Sequence, residues 1–265
     1  LRVAVVSHTR ISDPDAAQEI FLLRLYAPEI VAKVRPGQFV MLKVAAGLDP
    51  LLTRPFSVHG ARGGSLLLLY RVVGKGTRLL SQVEEGMELL LWGPLGRGFE
   101  LDAERPVLVA GGMGVAPLVF AAERLAARLA VQGRQVRFLC GLASAGQSRA
   151  LLGRLGCLPG AEALRVETAT ADGSKGVKGL VTALLPAALA WGDAVLACGP
   201  SPMLKAVAKM CAEWDKPCQV SLESPMACGV GACLGCAIPA AGGGYLRTCQ
   251  EGPVMYAVQV DWERL

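Results

Sequence analysis

Four cysteines crowd into one short stretch near the end of this chain: Cys228, Cys233 and Cys236, then Cys249 after twelve intervening residues. Nothing else in the sequence limits its folding as strongly. Around them the helical and strand periodicities disappear and glycine becomes frequent. The segment is too small for a core of its own, so bonds to a metal would have to supply the missing stability. The spacing C-x4-C-x2-C-x12-C is of the plant-ferredoxin [2Fe–2S] type. Three thiolates on one loop reach two irons, Gly229, Gly231 and Gly235 let the backbone fold around the cluster, and Cys249 closes the set from a separate segment. A structural zinc site is the alternative, although four-cysteine zinc sites usually come as two C-x2-C knuckles. The first nine residues lack the basic and apolar blocks of a secretory leader. A cytoplasmic location is therefore expected, where clustered thiols serve metals before disulfides.

At 265 residues the chain exceeds what one hydrophobic core usually serves, which predicts two folding units and a small appendage. Hydrophobic residues make up 52% and charged ones 18%, a composition that orders a core. The long uncharged stretches 106–122 and 225–246 are broken by glycines and prolines, so neither predicts a membrane span. The net charge of +5 is dispersed, with no Lys/Arg run and no interleaved aromatics, which argues against nucleic acid as a partner.

Short strands at 3–7, 20–25, 38–44, 56–59, 65–72 and 87–92 predict an antiparallel β-barrel over residues 1–103. From Pro106 strands at 107–110, 136–140, 164–168 and 194–197 alternate with helices near 117–131, 146–155, 180–190 and 202–214. That alternation predicts a parallel-sheet α/β domain over 104–221, followed by the cysteine-rich domain, 222–265.

Two groups of residues point to nucleotide cofactors. Arg54–Pro55–Phe56–Ser57 stands where a barrel strand begins: a guanidinium can pair with a diphosphate, an aromatic can lie on a flavin ring, and a hydroxyl can reach a ring nitrogen. By itself the tetrapeptide is a weak signal and reads first as an Arg–Pro turn leading into a buried strand. Leu69, Tyr70 and Arg71 end a later strand that runs into Gly76 and Thr77, where a predicted helix, 77–82, offers free amides to phosphate; together they favour flavin. Gly111, Gly112 and Gly114 follow strand 107–110 and let a diphosphate approach the backbone, while Pro117 suits the first turn of the next helix. This departs from the G-x-G-x-x-G fingerprint and alone would be an ordinary βα turn. Cys198–Gly199–Pro200 follows a later parallel strand, so both glycine turns should open at one sheet edge. Cys198 reads equally well as a small buried hydrophobe.

The order of these motifs resembles the ferredoxin reductase superfamily, in which a flavin-binding barrel precedes a nicotinamide-binding domain. The tail, Met226 through Cys236 with Thr248–Cys249–Gln250–Glu251–Gly252–Pro253–Val254, is similar to that of the electron-transfer subunits of NAD-dependent, class 1B dihydroorotate dehydrogenases. The resemblance spans essentially the whole chain. It implies FAD held by residues 54–57, 69–71 and 76–77, and NAD at the glycine turns. It also implies a separate FMN-containing catalytic subunit that oxidises dihydroorotate to orotate in pyrimidine synthesis. Electrons would cross the [2Fe–2S] cluster to FAD and on to NAD⁺, in a heterotetramer of two subunits of each kind. Related readings are the small subunit of an electron-bifurcating ferredoxin–NADP reductase, whose members lack a cysteine at the position of Cys228, or of a sulfhydrogenase. A zinc-stabilised binding module without enzymatic activity is the rival of another class.

No side-chain acid or base stands out, and hydride exchange between nicotinamide and flavin needs none. His8 and His59 lie far apart without an Asp or Cys motif and read as ordinary polar residues. Cys140, Cys157, Cys211 and Cys218 lack ligand spacing and are expected in the core; Glu84, Glu85 and Glu162 are expected at the surface. After the second parallel strand, residues 141–144 carry no Arg or Lys for a 2′-phosphate. NAD is thus expected over NADP, with Arg149 the nearest cation. Met226, Ala232 and Leu234 are expected at a subunit contact.

Overall fold

The computed structural model describes residues 1–44, 47 and 49–265. Strands β1 (Arg2–Arg10), β2 (Ile20–Tyr26), β3 (Phe39–Lys43), β4 (Arg54–Arg62), β5 (Ser65–Arg71) and β6 (Glu88–Leu95) close into an antiparallel barrel in the order β1-β2-β5-β4-β3-β6. Leu23, Leu25, Leu66 and Leu68 fill it, as the inward positions of two strands paired over their full lengths. Gly63 and Gly64, both at positive φ, form the two-residue hairpin between β4 and β5 that such strands require. The short helices α1 (Pro28–Val31) and α2 (Lys75–Leu80) add Ile30 and Leu80 to this core. Helix α2 begins two residues before the expected start, because the Thr77 hydroxyl accepts the N–H groups of Val73 (2.9 Å) and Gly74 (3.1 Å).

The second sheet contains β7 (Pro106–Gly111), β8 (Val136–Leu142), β9 (Leu164–Thr170), β10 (Val177–Lys178), β11 (Ala194–Cys198), β12 (Cys218–Ser221) and, from the tail, β15 (Val254–Tyr256). Its order is β10-β9-β8-β7-β11-β12-β15, parallel except for β15. Helices α3 (Val115–Ala130), α4 (Ala145–Leu152), α5 (Leu185–Trp191) and α6 (Ser201–Glu213) connect its strands, and α5 is shorter than expected because a 3-10 turn precedes Pro186. The chain runs outward from β7 to β10, then returns to place β11 on the other side of β7. This reversal opens a crevice beyond Gly111 and Cys198. Strands β13 (Ala237–Pro239) and β14 (Tyr245–Arg247) form a small hairpin.

Cys140, Cys211 and Cys218 are buried as expected, but Cys157 is exposed. It ends the 3-10 turn Leu155–Cys157, in which Leu155 takes the buried position. Glu84, Glu85 and Glu162 lie at the surface. Among the described residues no helix is long and apolar enough to cross a membrane.

Helix α3 couples the two sheets: Phe120 belongs to the barrel core, whereas Leu118, Leu125 and Leu129 belong to the cluster beneath the parallel sheet. His59, 6% exposed, faces α3 and donates from Nδ1 to the Ala116 carbonyl at 3.0 Å. Burial lowers its pKa from 6.5 to about 4, Arg154 adds to that, and the Ala116 bond opposes it. Because the folded imidazole resists the proton that the unfolded chain accepts, the stability present above about pH 6.5 is lost as pH falls toward about 4. Between pH 7 and 4.5 this amounts to roughly 2–3 kcal/mol. Denaturant titration of H59Q should show a correspondingly smaller loss over that interval; an identical loss would contradict the assignment.

Candidate flavin, nucleotide and cluster site

A cavity of about 370 Å³ opens where the barrel, the sheet and the tail meet. Arg54, Pro55, Phe56 and Ser57 from β4 line it, with Leu69, Tyr70 and Arg71 from β5 and Thr77 from α2, so most of the expected flavin residues converge. Gly76 lies under Arg54: a Cβ there would come within 2.7 Å of the guanidinium Nε, so glycine lets Arg54 cross the start of α2. Phe56 and Tyr70 meet edge to face at 5.7 Å, and Tyr70 stacks on Phe21 at 5.6 Å. The Tyr70 hydroxyl lies 2.8 Å from His8 Nε2, and burial pushes its pKa well up, so the phenol stays protonated. His8 therefore helps to fix a cavity wall. The sequence alone did not reveal Ser221, Leu222, Glu223 and Ser224, which enter the same cavity because β12 ends there. Desolvation at the wall raises the Glu223 pKa, with Arg71 opposing.

The two glycine turns touch. A Cβ on Gly111 would meet Met203 Sδ at 2.5 Å, one on Gly199 would lie 3.0 Å from the Gly111 nitrogen, and one on Gly114 would collide with the Cys198 carbonyl. Gly111, Gly112 and Pro200 line a second cavity of about 450 Å³ at the carboxyl edge of the sheet, with Leu142, Ala143 and Ala171. Pro117 is buried in the first turn of α3 and supports this site without lining it. Cys198 is buried, and desolvation pushes its thiol strongly up, so it acts as a packing group. Met113 and Ala116, just past the turn, line the first cavity, so one short segment separates the two.

The cysteine loop sits on the barrel. Cys236 and Cys249 pack with Phe39, Met41, Trp92, Leu95 and Met226, and a Cβ on Gly229 would lie 2.7 Å from Met41 Cγ. Phe39 and Met226 also line the first cavity. The Cys236 and Cys249 sulfurs are 3.2 Å apart. Among the described residues no three His, Cys, Asp or Glu side chains converge as one metal ion requires. The Gly231 amide donates to Cys249 Sγ at 3.1 Å and the Val230 amide to Cys228 Sγ at 3.4 Å, donors suited to thiolate charge. The loop amides of Val230 and then Cys233 lower the Cys228 pKa to about 6, while burial pushes Cys249 up to about 11 against the Gly231 amide. Gly229, Gly231 and Leu234 take positive φ in the turn. Arg247 braces the loop, donating to the Gly231 carbonyl (3.1 Å) and to both carboxylate oxygens of Glu251.

Barrel, reversed parallel sheet and cysteine-rich tail define a protein with the ferredoxin–NADP reductase fold and a C-terminal iron–sulfur-binding domain. Over 99% of its length the chain superposes, with a TM-score of 0.81 and 26% identity, on 91% of a chain in the structure of an NADH-dependent reduced ferredoxin-NADP oxidoreductase. It shares its fold with 91% of a ferredoxin NADP⁺ reductase from Neisseria gonorrhoeae solved with FAD and NADP, at a TM-score of 0.64, 18% identity and 81% coverage of this chain. Residues 223–261 match the iron-sulfur cluster binding domain of dihydroorotate dehydrogenase B. Named relatives are the electron transfer subunits of dihydroorotate dehydrogenase B (NAD(+)) from Desulforamulus reducens and Bacillus caldolyticus. The first is 42% identical over 93% of this chain and 94% of the relative, the second 37% identical over 92% and 96%. This chain belongs to that family of electron transfer subunits.

The contact between the glycine turns is directly testable. G114A should separate α3 from the end of β11, lower stability by about 2 kcal/mol or more, and weaken NADH binding. Wild-type values of both, from denaturant titration and fluorescence quenching, would contradict the packing described.

Proposed function

We propose that this chain carries electrons from an FMN-containing dihydroorotate dehydrogenase catalytic subunit, through a [2Fe–2S] cluster and FAD, to NAD⁺ in pyrimidine synthesis. It would act in the cytoplasm, in a heterotetramer of two subunits of each kind. The carrying observation is the sharing of residues between sites: Phe39 and Met226 belong both to the cysteine-loop packing and to the first cavity. Cys228, Cys233, Cys236 and Cys249 hold the cluster. Arg54 and the start of α2 hold the flavin diphosphate, while Pro55, Phe56, Ser57 and residues 69–71 shape the ring site. Gly111, Gly112, Gly114 and the 198–200 turn receive the nicotinamide nucleotide. When bound, the flavin exchanges a hydride with the nicotinamide and single electrons with the cluster. The chain positions these partners and excludes water; its Tyr70 phenol is committed to packing against His8 and Phe21.

Val230, Ala232 and Leu234 are exposed on the cysteine loop and suit the catalytic-subunit contact, with Met226 beneath them. Family membership supports that partner, since the relatives are named as electron transfer subunits of dihydroorotate dehydrogenase B. The purified chain should therefore reduce artificial acceptors with NADH and leave dihydroorotate untouched until the FMN subunit is added. Turnover of dihydroorotate by the chain alone would refute this division. C236S should lose iron, sulfide and cluster absorption while retaining part of its NADH diaphorase activity; full retention of iron would overturn the ligand assignment.

Preference for NADH rests on the second cavity. Ala143 and Ser144 offer no cation, Arg149 pairs with Asp13 at 3.1 Å, and Lys175 donates to Ser148 at 2.9 Å. Asp172 follows the cavity residue Ala171, and the Ser174 hydroxyl and amide hold its carboxyl below the usual range, so it opposes a 2′-phosphate. The kcat/KM for NADH should exceed that for NADPH by about tenfold or more in diaphorase assays, and equality would sink this reading.

A further inference from the structure

A third cavity, of about 370 Å³, shares no lining residue with the flavin or nucleotide cavities. It lies between β2, β4, α3 and the turn after α4, and Arg24, His59, Arg62, Glu123 and Arg154 face it. Three guanidinium groups thus stand against one carboxylate. Arg62 comes no closer to Glu123 than 3.6 Å, and among the described residues Arg24 and Arg154 have neither a side-chain hydrogen bond nor an ion pair. Such an excess of positive charge, drawn from separate elements around one cavity, attracts an anion.

The barrel distorts to bring His59 here. Val58 pairs with Leu68 and Gly60 with Leu67, so His59 is the extra residue of a β-bulge, a device that re-aims a side chain. Its Nδ1 faces the Ala116 carbonyl, which can only accept, so that nitrogen carries the hydrogen and Nε2 keeps its lone pair. Among the described residues nothing bonds Nε2, although the side chain is more than nine-tenths buried and lines the cavity. Burial keeps the imidazole neutral at physiological pH. The cavity therefore presents an excess of cations beside one hydrogen-bond acceptor open to it.

We propose that this cavity is a binding site for a small phosphomonoester, its phosphoryl oxygens on Arg24, Arg62 and Arg154 and a ligand hydroxyl donating to His59 Nε2. A phosphomonoester dianion offsets the two uncompensated charges, whereas a single carboxylate would leave one. The volume lies at the lower end of small-ligand sites, which fits a sugar phosphate.

The test uses the FAD- and cluster-loaded chain with NAD⁺ saturating, so that the nucleotide crevice is filled. Ribose 5-phosphate is the probe and ribose the control, titrated by calorimetry. Ribose 5-phosphate should bind saturably below about 10 mM and ribose should not, and R24Q/R154Q should weaken binding about tenfold or more while leaving NADH diaphorase activity unchanged. The chain has two histidines, so ¹⁵N-histidine labelling adds a local readout: the probe should shift the His59 Nε2 signal and leave His8 in place. Should the double variant fail to fold, R154Q, altering one exposed guanidinium, carries the same test. Absence of saturable binding, affinity unchanged by the substitutions, or an unmoved His59 signal would overturn the proposal.

Discussion

The cysteine loop has no core of its own and rests on the barrel through Gly229 against Met41, with Phe39 beneath Cys236 and Cys249. The placement of the four cysteines beside the rest of the site depends on that contact. It sets the cysteines one side chain away from the first cavity, because Phe39 belongs to both. Larger residues at 229 would lift the loop, and the positive φ there would resist them further. The tail is also tied to the sheet by the β12–β15 pairing, so two independent attachments fix the loop in place.

The same economy of distance governs the other end. The segment from Gly111 to Ala116 faces the second cavity with Gly111 and Gly112 and the first with Met113 and Ala116, and α3 then inserts Phe120 into the barrel core. Barrel and sheet are thereby coupled through one helix. A site shared among three units can exclude water only if they keep a fixed spacing, and α3, β15 and the cysteine loop each contribute to it.

Much of this was legible from local chemistry. The barrel strands, the parallel strands and the glycine turns follow from period-two alternation and from residues that must permit close backbone approach. The C-x4-C-x2-C-x12-C spacing points to a two-iron cluster, in line with the match of residues 223–261 to an iron-sulfur cluster binding domain. What escaped was non-local. Strand β12 is four residues long and carries no periodic signal, so the entry of Ser221 through Ser224 into the flavin cavity could not be anticipated. Strand β15 is recognisable as a strand only by its partner. Cys157 was misplaced because a 3-10 turn decided which neighbour is buried. His59 read as an ordinary polar residue, since the bulge that turns it toward α3 is visible only in the pairing of β4 with β5.

The central claim is that a two-iron cluster on the four cysteines exchanges electrons with a flavin in the adjoining cavity. Anaerobic stopped-flow mixing of the purified chain with NADH, followed at flavin and iron–sulfur absorption bands, tests it most directly. The account predicts bleaching of the flavin band followed by bleaching of the cluster band within the same reaction. A chain that bleaches only at the flavin, or that purifies with zinc in place of iron and sulfide, would contradict it.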